Sequence, residues 1–206
     1  MSPRPRTVSD ATILAATARM ISRVGPVRLT LADVGSEVGL APATLLQRFG
    51  SKRGLLLALV EQSVGSIERH FDDERSTHAS AIDTLIAVAI AMAEHVRTPE
   101  ELANNLAFFQ IDLSDSDFHA LALEHSRRVR AGYERLLDDA IAAGELVTCD
   151  TAALARAVQA VAAGSLLNWA IHRDGAVGAW VRADLATLIA PYRRLRLEQT
   201  VGLSHP

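Results

Sequence analysis

The sequence predicts an all-α protein in which a small N-terminal head of short helices precedes a larger bundle of long helices. Its 206 residues include 35 alanines and 27 leucines, which are strong helix formers, against only nine aromatic residues. Glycine and proline also recur at intervals that divide the chain into segments of helical length. We place the boundary so that residues 1–55 form the head and residues 56–206 form the bundle.

Four helices are predicted in the first third of the chain. Each begins at a Ser, Thr or Pro suited to a helix N-terminus, and the first three stop at a glycine. Their predicted bounds are 9–24, Leu31–Val38, Pro42–Phe49 and Lys52 to about Arg69. Apolar residues at helical spacing predict the core of the head, namely Leu31, Val34, Val38, Leu45 and Phe49.

Five longer helices are predicted in the remainder. Their bounds are Ala79–Arg97, Glu100–Leu113, the capping cluster at 114–116 to Ala143, Thr151–Arg173 and Gly178–Ala190. After Pro191, which ends or kinks the last of them, residues 192–199 are predicted to continue as helix. An apolar stripe at helical spacing is predicted to face the core, and it consists of Leu102, Leu106, Phe109 and Leu113.

The charge of the chain is unevenly distributed. Residues 1–55 hold eight basic and three acidic side chains, for a net charge of +5, whereas the remaining residues hold 13 basic and 21 acidic ones. A basic head on an acidic body predicts that the head binds a polyanion.

Several classes of protein are not expected. A lone cysteine, Cys149, gives no disulfide framework, and the seven histidines form no metal-binding or catalytic motif. The longest apolar run, Leu85–Ala93, is too short to span a membrane. We therefore expect a cytoplasmic protein that is not an enzyme and needs no cofactor or metal.

Two short helices joined by residues 39–41 are typical of a helix-turn-helix, whose second helix enters the DNA major groove. The run from Thr30 to Leu56 resembles the DNA-binding head of the TetR family of bacterial repressors. The matching positions are Gly39, Thr44, Leu45, Phe49, Ser51, Lys52 and Leu55. The resemblance implies a DNA-binding head and a helical ligand-binding and dimerisation body.

The chemistry of the third helix suggests individual roles at the DNA. Gln47 can pair with adenine, Arg48 with guanine or a phosphate, and the small Ala43 allows close approach. Lys52, the only lysine in the chain, falls where the family contacts a phosphate. Leu46 replaces a tyrosine usual in the family. The full predicted set is Thr30, Ala41, Pro42, Ala43, Thr44, Leu46, Gln47, Arg48 and Lys52.

The body carries a segment at 157–172 without a charged residue. The resemblance implies that the last two long helices pair with their copies in a homodimer. Such a dimer presents two recognition helices to a palindromic double-stranded DNA operator. Small residues are expected to let the helices approach, and they are Ala155, Ala162, Ala163 and Gly164. A plain intrachain core helix is the alternative reading of this segment.

The resemblance further implies a pocket for a small-molecule effector that would release the repressor from DNA. Apolar sites with a few polar groups are typical of such pockets. The candidate residues are Asn104, Asn105, Phe108, Asp112, His125, Arg128, Asn168 and Trp169. Two alternatives stay open, which are a helical ligand-binding or protein-interaction module that has lost DNA binding and an all-α enzyme that uses the body cavity.

Overall fold

The computed structural model describes residues 8–194, and within that range the chain forms nine α-helices, as expected for an all-α protein. Their bounds are α1 Asp10–Arg28, α2 Leu31–Val38, α3 Pro42–Phe49, α4 Lys52–Thr77, α5 Ala81–Ala93, α6 Pro99–Ser114, α7 Ser116–Ala142, α8 Thr151–His172 and α9 Val177–Ile189. A 3₁₀ turn at Ala190–Tyr192 follows. In the described range, none of the helices is both long and apolar enough to cross a membrane.

Two helices of the head have the predicted bounds, whereas α1 passes its predicted end at residue 24 and continues to Arg28. Helices α2 and α3 match the prediction at both ends, and α1 kinks at Gly25, whose φ of 78° interrupts the helical backbone. Ser9, Thr30 and Ser51 each accept a hydrogen bond from a backbone N–H in the first turn of the following helix. The five predicted core residues all pack in one cluster, in which Val34 and Leu45 are fully buried.

Helix α4 is longer than predicted. It continues past Arg69 to Thr77 because its last turns pack against α7. There Phe71 is buried and meets the ring of Tyr133 edge-on, with the ring centroids 5.4 Å apart. Tertiary packing therefore extends a helix whose sequence turns strongly polar.

The predicted end of α5 and the predicted continuation after Pro191 were wrong. Helix α5 stops at Ala93, because Val96 turns into the core and the N–H of Arg97 is bound by Glu101 at the start of α6. Beyond Pro191 the chain extends beside the loop after α7, where Val147 donates its N–H to the carbonyl of Tyr192. Residues 195–199 lie outside the described range.

The apolar stripe on α6 was also wrongly assigned to the core. Leu102 is buried, but Leu106, Phe109 and Leu113 are exposed, with Phe109 50% and Leu113 63% accessible. Helix α6 turns a different face inward, and Phe108 on that face packs against the core of the head.

Head and body share packing across the predicted boundary at residue 55. Helix α4 contributes Leu55 and Leu56 to the core of the head and Phe71 to the core of the body. The core of the head also includes Phe118 from the start of α7. The division into 1–55 and 56–206 remains a proposal, since α4 runs without a break through both cores.

Candidate nucleic-acid interface and ligand cavity

The turn between α2 and α3 depends on two glycines. Gly39 adopts the left-handed conformation at φ 70°, which glycine tolerates without strain. A Cβ atom on Gly35 would lie only 2.6 Å from the carbonyl oxygen of Leu40. The close crossing of α2 and α3 therefore requires glycine at position 35. The sequence signal was a glycine inside a predicted helix, which the sequence reasoning did not use.

Helix α3 presents a clear outward face. Leu45 anchors its inner side, while Ala43, Leu46 and Gln47 are exposed, and Leu46 is 51% accessible. Pro42 occupies the first helical position, and Ala41 provides no side-chain cap. The outer face thus has one side chain, Gln47, that offers both a hydrogen-bond donor and an acceptor, next to apolar neighbours.

The two predicted cations next to this face are bound to α1. Lys52 donates from Nζ to the carbonyl of Val27 over 2.9 Å. Arg48 donates from Nη1 to the carbonyl of Val8 over 2.6 Å and to Asp10 over 3.1 Å. Each side chain retains further N–H donors, and both hold α3 and α4 against α1.

Two predicted backbone-contacting threonines lie at helix starts. Thr30 forms a capping box with Asp33, in which its Oγ1 accepts from the N–H of Asp33 and the Asp33 carboxylate accepts from the N–H of Thr30. Thr44 is half-buried and donates its backbone N–H to the carbonyl of Ala41.

Much of the positive charge of the head is already paired. Glu37 lies 2.9 Å from Arg23 and 3.8 Å from Arg19, and Arg53 is bound to two aspartates of the body. Arg4 and Arg6 lie outside the described residues. Glu37 is already counted in the net charge of +5, so within residues 8–194 only the pairing of Arg53 with Asp115 and Asp117 of the body lowers the charge that the head offers to DNA.

A cavity of about 560 Å³ lies where the head meets the body. Helices α1 and α4 wall it on one side, and α6, α7 and α8 wall it on the other. Four of the predicted ligand residues line it, which are Asn105, Phe108, Asp112 and His125.

The other four predicted ligand residues lie elsewhere. Asn104 donates to α1, and Arg128 pairs with Glu124 and Glu68 on the surface. Asn168 is exposed, and Trp169 is buried in the core with its indole N–H donated to the carbonyl of Gly175. Phe109 and Gln159, which were not predicted, also line the cavity.

Two polar atoms on the cavity wall are buried and have no hydrogen-bond partner within the described part of the chain. They are Nδ2 of Asn105 and Oδ1 of Asp112. Burial raises the pKa of the Asp112 carboxyl to about 6. Burial lowers the pKa of His125, which favours its neutral form. Unpaired buried polar groups are costly, and both of these side chains belong to the cavity wall.

Asn104, one of the residues outside the cavity, joins the body to the head. Its Nδ2 donates to the carbonyl of Ser22 over 2.7 Å. That carbonyl lies four residues before Pro26, which has no N–H to give it.

A second link connects Arg53, the second residue of α4, with the start of α7. The guanidinium binds Asp115 and Asp117, each at 2.7 Å, and its Cζ lies 5.5 Å from the ring centroid of Phe118. Hydrogen bonding from Arg53 lowers the pKa of Asp115. Phe118 in turn meets Phe108 edge-on, so this link reaches the wall of the cavity. The sequence reasoning assigned Asp115 only to helix capping.

Helix α8 carries an outward apolar face, and α9 has exposed alanines at 179, 183 and 186. On α8 it includes Ala163, Leu167 and Ile171, and Ile171 is 76% accessible. The space beside Gly164 is open. Ala155 is fully buried within the chain's own core and Ala162 packs against that core, so these two small residues serve packing inside the chain.

The tight pair α2–α3, with the outer side chains of α3 exposed, has the form of a helix-turn-helix, a motif of DNA-binding transcription regulators. The sequence model described as bacterial regulatory proteins of the tetR family matches residues 13–59. Residues 13–59 are thus similar to the N-terminal domain of this family, whose members are described as regulatory proteins.

Solved structures with the same fold cover nearly the whole chain. SmeT, the repressor of the Stenotrophomonas maltophilia multidrug efflux pump SmeDEF, is 20% identical, with a TM-score of 0.67 over 97% of this chain and 98% of its own. A TetR regulator from Haloarcula marismortui is 16% identical, with a TM-score of 0.73 over 90% and 98%. FadR from Bacillus subtilis in complex with stearoyl-CoA is 18% identical, with a TM-score of 0.67 over 88% and 98%. No curated protein matches at the level of sequence.

Proposed function

We propose that this protein is a ligand-responsive repressor that binds a palindromic operator as a homodimer and leaves it when a small molecule fills the body. The observation that carries the proposal is the position of the cavity, whose wall includes α1 of the head as well as α6 of the body. A molecule bound there would contact both parts and favour one arrangement of them. Such a regulator acts where the DNA lies, in the cytoplasm.

We place the residues that contact the bases of the operator on the outer face of α3. Gln47 is the base-reading residue, supported by its exposure and by its two-sided hydrogen-bonding group. Ala43 and Leu46 are apolar and suit contact with a thymine methyl group. Thr30, Pro42 and Thr44 line the approach to the phosphates, together with Ala41.

Arg48 and Lys52 have a second role in this proposal. Both already bind carbonyl oxygens of the head, so they help to hold α3 in place, and each keeps further N–H donors that could contact phosphates. They would position the head on the phosphate backbone more than they would specify a base.

The homodimer rests on the outward faces of α8 and α9. Apolar side chains and small residues share these faces, which is typical of helices that pack against another chain. Two heads held in this way would meet major grooves about 34 Å apart.

Signalling would follow the two links between body and head. Asn104 holds the kinked end of α1, and Arg53 holds the start of α4 just after α3. A ligand that moves α6 would shift both links and change the separation of the recognition helices. SmeT, described as a repressor, and FadR, solved with stearoyl-CoA, are consistent with such a role.

The test is selection of random duplex DNA by the purified protein, followed by sequencing. We expect an enriched inverted repeat with half-sites about one helical turn apart. A protein carrying Gly35→Val, which cannot form the turn, is the control and should enrich nothing. Failure of the unmodified protein to enrich any sequence at low salt would instead identify a ligand-binding or protein-interaction module without DNA specificity.

A further inference from the structure

We propose that the cavity between head and body selects an organic cation, with an ammonium group at one end, a hydrogen-bond acceptor at the other and an apolar body between them. This inference rests on the ligand-responsive function proposed above and names the class of ligand. It is carried by the residues that α6 turns toward the cavity.

Four cavity residues of α6 lie on one face of the helix. Asn105, Phe108, Phe109 and Asp112 are spaced at i, i+3, i+4 and i+7, so they form a continuous stripe. The two polar residues stand at its ends, about 10 Å apart along the helix axis, and the two phenyl rings lie between them. A ligand that follows this stripe needs polar groups at both ends and an apolar middle.

The unpaired atoms at the two ends determine the polarity of each ligand group. An ionised carboxylate only accepts hydrogen bonds, so the complement of Asp112 Oδ1 is a donor, and a positively charged N–H is the strongest one. Asn105 Nδ2 only donates, so its complement is an acceptor such as a carbonyl oxygen. The adjacent phenyl rings also favour a cation.

Among residues 8–194, no lysine or arginine lines the cavity to balance the charge of Asp112. The titratable side chains on the cavity wall are Asp112, His125 of α7 and His95 from the segment after α5. Burial lowers the pKa of His125 and so favours its neutral form, while an Nδ1 hydrogen bond ties exposed His95 to the carbonyl of Met92. The nearby arginines are engaged elsewhere, since Arg53 binds Asp115 and Arg128 binds Glu124.

Anionic and purely apolar ligands fit the site less well. A carboxylate or phosphate next to Asp112 would be repelled and would leave the aspartate unpaired. An acyl chain or a neutral aromatic molecule would bury the carboxylate without a partner, which costs free energy. Selectivity for a cation over a neutral molecule of the same shape is therefore the distinguishing property.

The test uses two probes of equal shape that differ in one atom. Methyl 4-(diethylaminomethyl)benzoate carries a tertiary ammonium group at neutral pH, and in methyl 4-(2-ethylbutyl)benzoate a CH group replaces that nitrogen. Both contain the carbonyl that would accept from Asn105. Binding of each probe to the full chain is measured by isothermal calorimetry above pH 7, where Asp112 is ionised.

We expect the cation to bind at least tenfold more tightly than its isostere. Asp112→Asn should reduce the affinity for the cation at least tenfold and change that for the isostere less than twofold. Asp139→Asn, at an exposed position of α7 outside the cavity, is the matched control and should change neither. Asn105→Leu should weaken both probes, which gives a second variant if Asp112→Asn folds poorly.

The proposal is overturned if the isostere binds as tightly as the cation, if neither probe binds, or if Asp112→Asn weakens both equally. Sequencing of selected DNA separates this failure from that of the proposed function. An enriched inverted repeat without cation selectivity would leave a regulator with another class of ligand. Cation selectivity dependent on Asp112 without any enriched DNA would keep the ligand class and overturn the regulator.

Discussion

The side-chain amide of Asn104 donates to the carbonyl oxygen of Ser22 across 2.7 Å. In an uninterrupted helix that oxygen would accept from the N–H of residue 26, but residue 26 is a proline. A residue of the body therefore completes the hydrogen bonding of α1 at the place where the helix kinks. Gly25 next to it leaves room for the amide, because a Cβ there would lie 2.9 Å from Oδ1 of Asn104.

Replacement of Asn104 by alanine should lower the free energy of unfolding by about 1–3 kcal/mol, because the carbonyl of Ser22 then loses its partner. Denaturant titration followed by circular dichroism measures the change. Asn168→Ala, at an exposed position on α8, should change stability by less than about 0.5 kcal/mol. Equal effects of the two substitutions would contradict the role given to Asn104.

Replacement of Gln47 by alanine should relax sequence preference at one position in each half-site and cost about 1–3 kcal/mol of binding free energy on the preferred operator. The outer face of α3 has no other side chain that could replace its paired donor and acceptor. A repeat of the DNA selection with the variant measures the preference base by base. An unchanged preference would show that α3 does not read the operator through Gln47.

Replacement of Lys52 by alanine should have two separable effects. Operator and random DNA should be weakened alike, and the slope of log affinity against log salt should decrease by about 1, because one phosphate contact is lost. The carbonyl of Val27 also loses its hydrogen bond, which costs about 1 kcal/mol of stability. Fluorescence anisotropy across a salt series and denaturant titration measure the two effects. A loss confined to the preferred operator would instead assign Lys52 to base reading.

The stability of the protein should depend on the protonation of Asp112. Its pKa is about 6 in the folded protein and roughly 3.9 in an unfolded chain, so folding favours the protonated form. The stability present below about pH 4 is therefore lost as the pH rises through 6. Asp112→Asn should remove this loss.

The expected gain for Asp112→Asn is about 1 kcal/mol at neutral pH, after discounting the pKa shift for the partial exposure of the side chain. No gain is expected at about pH 4, where the carboxyl of the unmodified protein is protonated in the folded state. Thermal unfolding of both proteins across this range gives the difference. A gain that is the same at both ends of the range would assign the effect to packing rather than to charge.

The head was readily predicted from the sequence because its helix ends are marked locally. Ser9, Thr30 and Ser51 start helices and Gly25, Gly39 and Gly50 interrupt or end them, so each boundary depends on residues a few positions apart. The core residues of the head could be predicted from the helical spacing of apolar residues on α2 and α3. Each of these short helices has only one face with that spacing.

The body was harder to predict because contacts between distant residues decide its details. The length of α4 depends on Phe71 meeting Tyr133, and the inward face of α6 depends on α1 packing against it. Leu106 and Leu113 have the spacing of a core stripe, yet they are exposed. Only half of the predicted ligand residues line the cavity. The sequence identifies polar side chains, but it does not show in which direction each one points.

Lys52 has one consequence beyond its hydrogen bond to Val27. Because it is the only lysine among 206 residues, its ε-amine is the single side-chain target for amine-selective acylation. It stands beside the recognition helix, so an operator that covers it should shield it from such a reagent, whereas a released head should leave it open to modification. The extent of acylation of Lys52, measured by mass spectrometry of the one peptide that contains it, should therefore report whether the head is bound to DNA.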